Sequence, residues 1–374
     1  MKNIPYSVVD LSNSDHKKII NSIKSGWLAH GPSSKRFEKE FKKFTKAKYA
    51  ITLSSCTAGL HLSCLALGIK KGDEVIVPAQ THAATAHSVE YTGAKAVFAD
   101  IDYFTGNISL DSVKKKINKN TKAIIPVHMA GKSCDMNGLL KIAKKYKLKI
   151  IEDCAHGLGS IFEGKHVGNI GSTGSFSFYP TKQITTGEGG MLITNDSKLY
   201  NKINKLKAFG IDTPPQLRKK PGVYDIKYLG FNYRMTDFQA EMGLNQLLKY
   251  KKYLEIRKRN AKLYHNHFKG LSHLISLPLY SINDSYFVFQ ILLKNKLVRD
   301  KVANTLKKNK IGYGIQYATP VPLLQYYKNK YRYKTSGFPN AVNYSNTCIS
   351  LPVHQKLNKT DIIKIVKVIS SAID

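Results

Sequence analysis

The fold is decided by residues 123–153, where Ala123-Ile124-Ile125-Pro126-Val127 leads through a helical segment to Lys149-Ile150-Ile151-Glu152-Asp153. Both runs are rich in consecutive apolar residues, as expected of strands that are buried on both faces of a sheet. The segment between them carries apolar residues at helical spacing, namely Leu139, Ile142, Ala143 and Tyr146. A strand, a helix and a second strand in this order form a βαβ unit with parallel strands.

The same alternation continues towards the N-terminus and predicts an α/β fold. Apolar strands are expected near residues 50–53, 74–77 and 96–99, and helices over about 57–67 and 82–91. Repeated units of this kind build a mostly parallel mixed sheet that is covered by helices on both faces.

At 374 residues the chain is long enough for two domains. We predict a large domain over residues 1–245 and a small C-terminal α/β domain over residues 246–374, bridged by a long helix near 236–268. Other predicted elements are two helices within 11–46, a substrate-covering loop at 211–225, strands at 286–293 and 311–317, and helices at 297–308 and from about 359. We predict that Ser33-Ser34 caps the second of the two N-terminal helices.

The composition is strongly basic, with a formal net charge of +34. A nucleic-acid-binding protein usually concentrates such charge on one face and adds arginine or aromatic side chains for base contact. Here lysine dominates and is spread along the whole chain. We therefore interpret the charge as a lysine-rich surface that attracts an anionic substrate, and we expect no nucleic-acid partner.

Cysteine usage and hydropathy point to a cytoplasmic protein. The five cysteines, at positions 56, 64, 134, 154 and 348, form an odd set without metal-ligand spacing, which is typical of reduced thiols. The N-terminus lacks the hydrophobic region of a signal peptide, and no stretch approaches the roughly twenty apolar residues that span a bilayer. We expect no membrane insertion and no bound metal.

Three polar segments follow predicted strands, namely 55–57 (Ser-Cys-Thr), 80–82 (Gln-Thr-His) and 153–156 (Asp-Cys-Ala-His). In parallel α/β sheets, ligands bind beyond the carboxyl ends of the strands. The sequence therefore predicts that these segments meet in one active site.

Two residues near this edge have the chemistry that a pyridoxal phosphate (PLP) site needs. Asp153 ends a strand, and Lys182 lies between the apolar run 176–178 and the glycine run 187–190. A lysine can hold the cofactor aldehyde as a Schiff base, and an aspartate can keep the ring nitrogen protonated so that the ring accepts electrons. Taken singly, a lysine is more often a surface charge, and an aspartate after a strand is often a helix N-cap.

The phosphate of such a cofactor needs a site of its own. Cys56-Thr57-Ala58 begins a predicted helix, whose free backbone N–H groups and positive dipole end suit a dianion. Taken alone, the sequence Ser-Ser-Cys-Thr is an ordinary helix N-cap.

Six segments together resemble the DegT/StrS-type aminotransferases, a PLP-dependent family that aminates keto sugars attached to nucleotides. They are SCTAGLHL (55–62), GDEVIVP (72–78), IED (151–153), FSFYPTK (176–182), GEGG (187–190) and NYRMTD (232–237). The resemblance runs from Ile4-Pro5 to the last predicted helix. It implies PLP fold type I, with a large PLP-binding domain and a small C-terminal domain.

The resemblance also implies roles for single residues. Lys182 would carry the cofactor, Asp153 would face its ring nitrogen, His156 would contact its phenolic oxygen, and Ser177 would bind its phosphate.

An asparagine matching Asn232 reaches the phosphate of the neighbouring subunit in relatives, which implies a homodimer with shared active sites. His82 departs from the Phe, Tyr or Trp that relatives carry against the ring, and an imidazole there can stack, donate a hydrogen bond or titrate.

The implied reaction is a transamination. An amino acid, by resemblance L-glutamate, would convert the cofactor to pyridoxamine phosphate, and a ketone on a nucleotide-linked deoxysugar would then take the amino group. Its products would supply amino sugars for lipopolysaccharide, O-antigen or a glycosylated metabolite. The alternatives are a PLP-dependent sugar dehydratase, an aminotransferase for a non-nucleotide cyclic ketone, and a basic binding or regulatory protein that retains the fold. Lys182 argues against the family branch that replaces this lysine with histidine.

Overall fold

The computed structural model describes residues 3–29, 31–213, 218, 220–271 and 273–373. In this part of the chain, helices α1–α12 span Asn13–Lys24, Pro32–Thr45, Cys56–Ala66, Ala83–Glu90, Leu110–Lys116, Met136–Tyr146, Ser197–Leu206, Asp237–Phe268, Lys296–Lys308, Gln325–Tyr331, Pro339–Thr347 and Lys359–Ile373. Strands β1–β12 span Tyr49–Leu53, Glu74–Pro78, Lys95–Ala99, Thr121–Ile124, Lys149–Asp153, Ile161–Phe162, Lys165–His166, Thr173–Ser177, Gly190–Thr194, Ile275–Ser276, Phe289–Leu293 and Cys348–Leu351.

Seven of the described strands form the central sheet, in the order β1-β9-β8-β5-β4-β2-β3. Strand β9 is antiparallel to both β1 and β8, and the other neighbouring pairs are parallel. The predicted α/β fold with a mostly parallel mixed sheet is thereby confirmed.

Strand β2 shows why the strands are apolar throughout. Val75 and Val77 are buried on one face of the sheet in a cluster with Leu60 of α3. Ile76, between them, is buried in a different cluster with Leu139 of α6. Because alternate side chains enter cores on opposite faces, a polar residue is disfavoured at every position.

A second sheet contains β10, β11 and β12, all antiparallel. Its core joins Ile291 of β11 to Tyr264 and Phe268 at the end of α8 and to Ile365 of α12. The predicted long helix near 236–268 is present as α8, and its role as a bridge between two domains stays a prediction. The domain boundary that we predict at residue 245 falls within α8 and stays a prediction.

The prediction of a strand over 311–317 is wrong. Here the chain forms only isolated bridges, from Ile311 to Ile4 and from Gly314 to Ser350. A Cβ atom on Gly312 would lie 2.4 Å from the backbone nitrogen of Tyr6, so this segment is pressed against the N-terminal residues. Those contacts replace a continuous ladder.

The predicted loop over 211–225 is only partly described, because residues 214–217 and 219 lie outside the described residues. Its ends are joined by a hydrogen bond of 3.0 Å from the Asp212 N–H to the Asp225 carbonyl and by a bridge between Ile211 and Ile226. Its substrate-covering role stays a prediction. None of the described helices combines the length and the apolar character needed to span a membrane.

The N-terminus of α2 is capped from a distant helix. The Asp237 carboxylate, in the first turn of α8, accepts hydrogen bonds from the backbone N–H groups of Gly31, Ser33 and Ser34 at 2.8–3.0 Å. Our prediction of Ser33-Ser34 as the cap is therefore wrong. Helix α8 itself is capped by Thr236, so Asp237 is free to serve α2.

Replacing Asp237 with alanine is expected to lower the free energy of unfolding by about 2–4 kcal/mol, because three buried N–H groups lose their acceptor. Urea denaturation of the purified protein measures this difference. The matched control is Asp135→Ala, which removes an exposed cap that serves its own helix α6 and should cost about 1 kcal/mol. Equal losses of unfolding free energy in the two variants would show that Asp237 stabilises the protein no more than an exposed local cap does.

Candidate active site

A cavity of about 440 Å³ lies at the carboxyl edge of the central sheet, where β5 and β8 end. Seven of the eight residues predicted to form the site line it, namely Cys56, Thr57, His82, Asp153, His156, Ser177 and Lys182. Segments far apart in sequence thus meet at this edge, as the strand-end pattern predicts.

Asp153 is the last residue of β5, and its carboxylate is buried and held from both sides. One oxygen accepts the Ala155 N–H at 3.0 Å, and the other accepts the Thr85 hydroxyl of α4 at 2.8 Å. A turn follows the strand at this point, so Asp153 caps no helix. This arrangement fixes the orientation of the carboxylate towards the cavity.

Lys182 lies in a turn just after β8, where its backbone N–H donates to the Tyr179 carbonyl at 2.9 Å. Its Nζ atom lies in the cavity, 4.6 Å from the ring centre of Phe287. Burial lowers the pKa of Lys182 to about 8, although the negative charge of Asp153 acts in the opposite direction. The amine is therefore partly neutral near physiological pH, as a nucleophile or base requires.

His156 lines the cavity and is buried, with its ring stacked on that of Phe287 at a centroid distance of 4.3 Å. Burial lowers the pKa of His156 well below its usual range, and the positive charge of Lys182 adds to this effect. The imidazole is therefore neutral and can donate one hydrogen bond.

The candidate phosphate site lies at the start of α3. The Ser55 side chain accepts the Ala58 N–H at 3.0 Å, and the N–H groups of Cys56 and Thr57 belong to the same first turn. Gly190 lies so close that a Cβ atom there would be 2.5 Å from the Cys56 nitrogen. Only glycine leaves room for this approach.

The structure places His82 in the cavity lining and Asn232 outside it. His82 is the N-cap of α4, with its Nδ1 accepting the Ala84 N–H at 3.2 Å, and its predicted contact with the cofactor stays a prediction. Asn232 is exposed and pairs through its backbone with Ala208, away from the cavity of its own chain.

Sequence reasoning did not assign three residues to the site: Thr85, Phe287 and Tyr317. Thr85 lies four residues after Thr81 of the predicted segment 80–82, and the two hydroxyls are 2.7 Å apart, so its sequence distance from that segment was a usable signal. Phe287 and Tyr317 reach the cavity from beyond α8, and no local pattern connects them with it.

A second polar cluster lies directly behind Asp153. The side chains of His128, Glu152 and Cys154 are buried with their ligand atoms within 4.8 Å of one another, which is a possible metal geometry. However, the Glu152 carboxylate already accepts hydrogen bonds from His128 Nε2 and from the N–H groups of Gly168, Ile170 and Gly171. These bonds account for the cluster, which ties β5 to the neighbouring loops.

The donor set of the cavity fits PLP. A partly neutral lysine amine suits the cofactor aldehyde, and a fixed carboxylate suits its pyridinium nitrogen. A neutral histidine suits the ring oxygen, and the positive end of an eleven-residue helix suits the phosphate. The volume of about 440 Å³ is in the ordinary range for small-molecule sites.

Comparison with known proteins agrees with this geometry. MJ1066 of Methanocaldococcus jannaschii, an uncharacterized protein, is 40% identical over 95% of this chain and 94% of its own. The GDP-perosamine synthase of Escherichia coli O157:H7 is 34% identical over 98% of this chain and 97% of its own.

Among solved structures, Spr1654 of Streptococcus pneumoniae, described as a sugar aminotransferase, matches with a TM-score of 0.92 and 29% identity over 99% of this chain and 98% of that chain. It has been solved in both PLP and PMP forms. The match confirms PLP fold type I. The model of the DegT/DnrJ/EryC1/StrS aminotransferase family matches residues 9–370. This chain therefore belongs to that family of PLP-dependent sugar aminotransferases.

Proposed function

We propose that this protein moves an amino group from L-glutamate to the ketone of a nucleotide-linked deoxysugar. The observation that carries the proposal is the placement of Lys182, with its lowered pKa, and the fixed Asp153 carboxylate in one cavity. Similarity to a GDP-perosamine synthase supports a nucleotide-linked sugar as the acceptor.

Lys182 carries the covalent and proton-transfer steps. Bound PLP supplies an electron sink for the bond that breaks beside its ring. The neutral Nζ of Lys182 would hold the cofactor through its aldehyde and, as a free amine, would move a proton between the substrate carbon and the cofactor carbon. Its pKa of about 8 lets the same amine both take and give this proton near neutral pH.

The other predicted residues hold the cofactor in a fixed position. Asp153 keeps a proton on the ring nitrogen, and Thr85 and Ala155 prevent its carboxylate from turning away. His156, neutral and fixed against Phe287, donates to the ring oxygen. The N–H groups of the first turn of α3 and the Ser177 hydroxyl bind the phosphate.

We further propose a homodimer with shared active sites, in which Asn232 reaches the phosphate bound by the partner chain. The segment before Asn232 is unusually apolar for a surface, with Val223 63%, Ile226 56% and Leu229 91% exposed. A contact with a second copy would remove these side chains from water.

We place the reaction in the cytoplasm, in the supply of amino sugars for surface polysaccharide or a glycosylated metabolite. All five cysteines are free and buried, which agrees with a reducing compartment.

The absorption spectrum of the purified protein tests the reaction. We expect a yellow band from bound PLP that bleaches when L-glutamate is added and returns when the right nucleotide-linked keto sugar follows. A yellow protein that is indifferent to glutamate but consumes a keto sugar would favour the sugar dehydratase. A protein that takes up no PLP would overturn the proposal and favour a binding protein that retains the fold.

A further inference from the structure

Tyr317 lies in the cavity although it comes from a segment 161 residues after His156. Its backbone carbonyl accepts the Gln80 side-chain N–H at 2.8 Å, which ties it to the loop after β2. Its ring lies against two histidines, with centroid distances of 5.8 Å to His82 and 6.5 Å to His156. The phenol is therefore held in position by the carboxyl edge of the central sheet.

The protonation of His156 decides what this phenol can do. The Ala130 N–H points at His156 Nδ1 at a distance of 3.4 Å, so Nδ1 must present its lone pair. Because the imidazole is neutral, its one hydrogen is then on Nε2. Nε2 faces the Tyr317 Oη atom at 3.5 Å.

Tyr317 also keeps its hydrogen, since burial raises the pKa of its hydroxyl. His156 Nε2 and the Tyr317 hydroxyl thus each carry a hydrogen that can be donated. Only one of these two hydrogens can form a hydrogen bond between the two groups. Its length of 3.5 Å is at the limit of a hydrogen bond, and two donors at this separation can both donate to one acceptor oxygen placed between them.

We propose that Tyr317 is a second hydrogen-bond donor to the PLP ring oxygen, acting together with His156. The inference rests on the proposed function, in which His156 donates to that oxygen. Two donors stabilise negative charge on the oxygen more than one does. They would therefore favour the deprotonated form of the bound cofactor over the protonated form.

The substitution Tyr317→Phe tests this role, since it removes one oxygen and keeps the ring contacts. We expect the pH midpoint of the absorption change of bound PLP to rise by about one unit in this variant. Tyr313→Phe is the matched control, because Tyr313 lies nearby in sequence but outside the cavity lining, and its midpoint should equal that of the wild type. An unchanged midpoint in Tyr317→Phe would overturn the proposal.

A second measurement needs neither the Tyr317→Phe variant nor bound cofactor. Histidine nitrogen-15 NMR of the cofactor-free protein, with the His156 signal identified by its loss in His156→Gln, should show the hydrogen on Nε2. A hydrogen on Nδ1 would make Nε2 an acceptor for Tyr317 and would refute the two-donor arrangement. Failure of the proposed function is recognised separately, since the wild type would then bind no PLP, or would bind PLP and not bleach with L-glutamate.

Discussion

Replacing Lys182 with alanine is expected to reduce turnover by about 10⁴-fold, the largest loss expected of any variant of this chain. The variant loses both the amine that attaches the cofactor and the base that moves the proton. The phosphate site at α3 and the Asp153 carboxylate remain, so the variant should still bind PLP without a covalent link. Its fold should be intact, because the Nζ atom lies in the cavity.

Two measurements check this expectation. Borohydride reduction followed by peptide mass analysis should label residue 182 in the wild type and leave Lys182→Ala unlabelled. Single-turnover absorption with L-glutamate then gives the rate. Lys301→Ala, on the exposed side of α9, is the matched lysine control and should behave as the wild type. Turnover of Lys182→Ala within tenfold of the wild type would refute the assigned role.

Replacing Asp153 with asparagine is expected to lower turnover by about 10²–10³-fold. The amide keeps the size of the side chain and can still accept the Ala155 N–H, but it has no negative charge to hold a proton on the ring nitrogen. The electron sink is weakened as a result. Cofactor attachment at Lys182 should persist, which separates this variant from Lys182→Ala.

The measurement for Asp153→Asn is the rate of bleaching with L-glutamate, with thermal unfolding recorded in parallel. A purely structural aspartate would lower stability and leave the rate of the folded fraction unchanged. Asp111→Asn neutralises an exposed carboxylate on α5 and controls for the change in net charge. A wild-type bleaching rate in folded Asp153→Asn would contradict the electrostatic role.

Much of the large sheet was predictable because its strands are buried on both faces. Strand β2 shows this at Val75, Ile76 and Val77, which enter two different cores. The direction of β9 was not predictable in the same way. Its residues are as apolar as those of the parallel strands, and its antiparallel direction is set by pairing with β1 and β8. Pairing of this kind depends on contacts far apart in sequence.

The site was predictable where a residue ends a strand or follows it within a few positions. Asp153 and Cys56 obey this rule, and both lie in the cavity. Tyr317 does not, because it follows no strand and reaches the cavity only through tertiary packing. The cap of α2 failed for a related reason, since the nearby Ser33-Ser34 was a local candidate whereas the acceptor used is Asp237.

The cap on α2 also affects when this helix can fold during synthesis on the ribosome. Gly31 and its acceptor Asp237 are separated by 206 residues. At synthesis rates of about 5–20 residues per second, the first turn of α2 is made roughly 10–40 s before its acceptor. During that interval Phe37 and Phe41, which end fully buried against β8 and α8, have no completed core to enter. The nascent N-terminal segment is therefore an exposed apolar target for chaperones until α8 emerges.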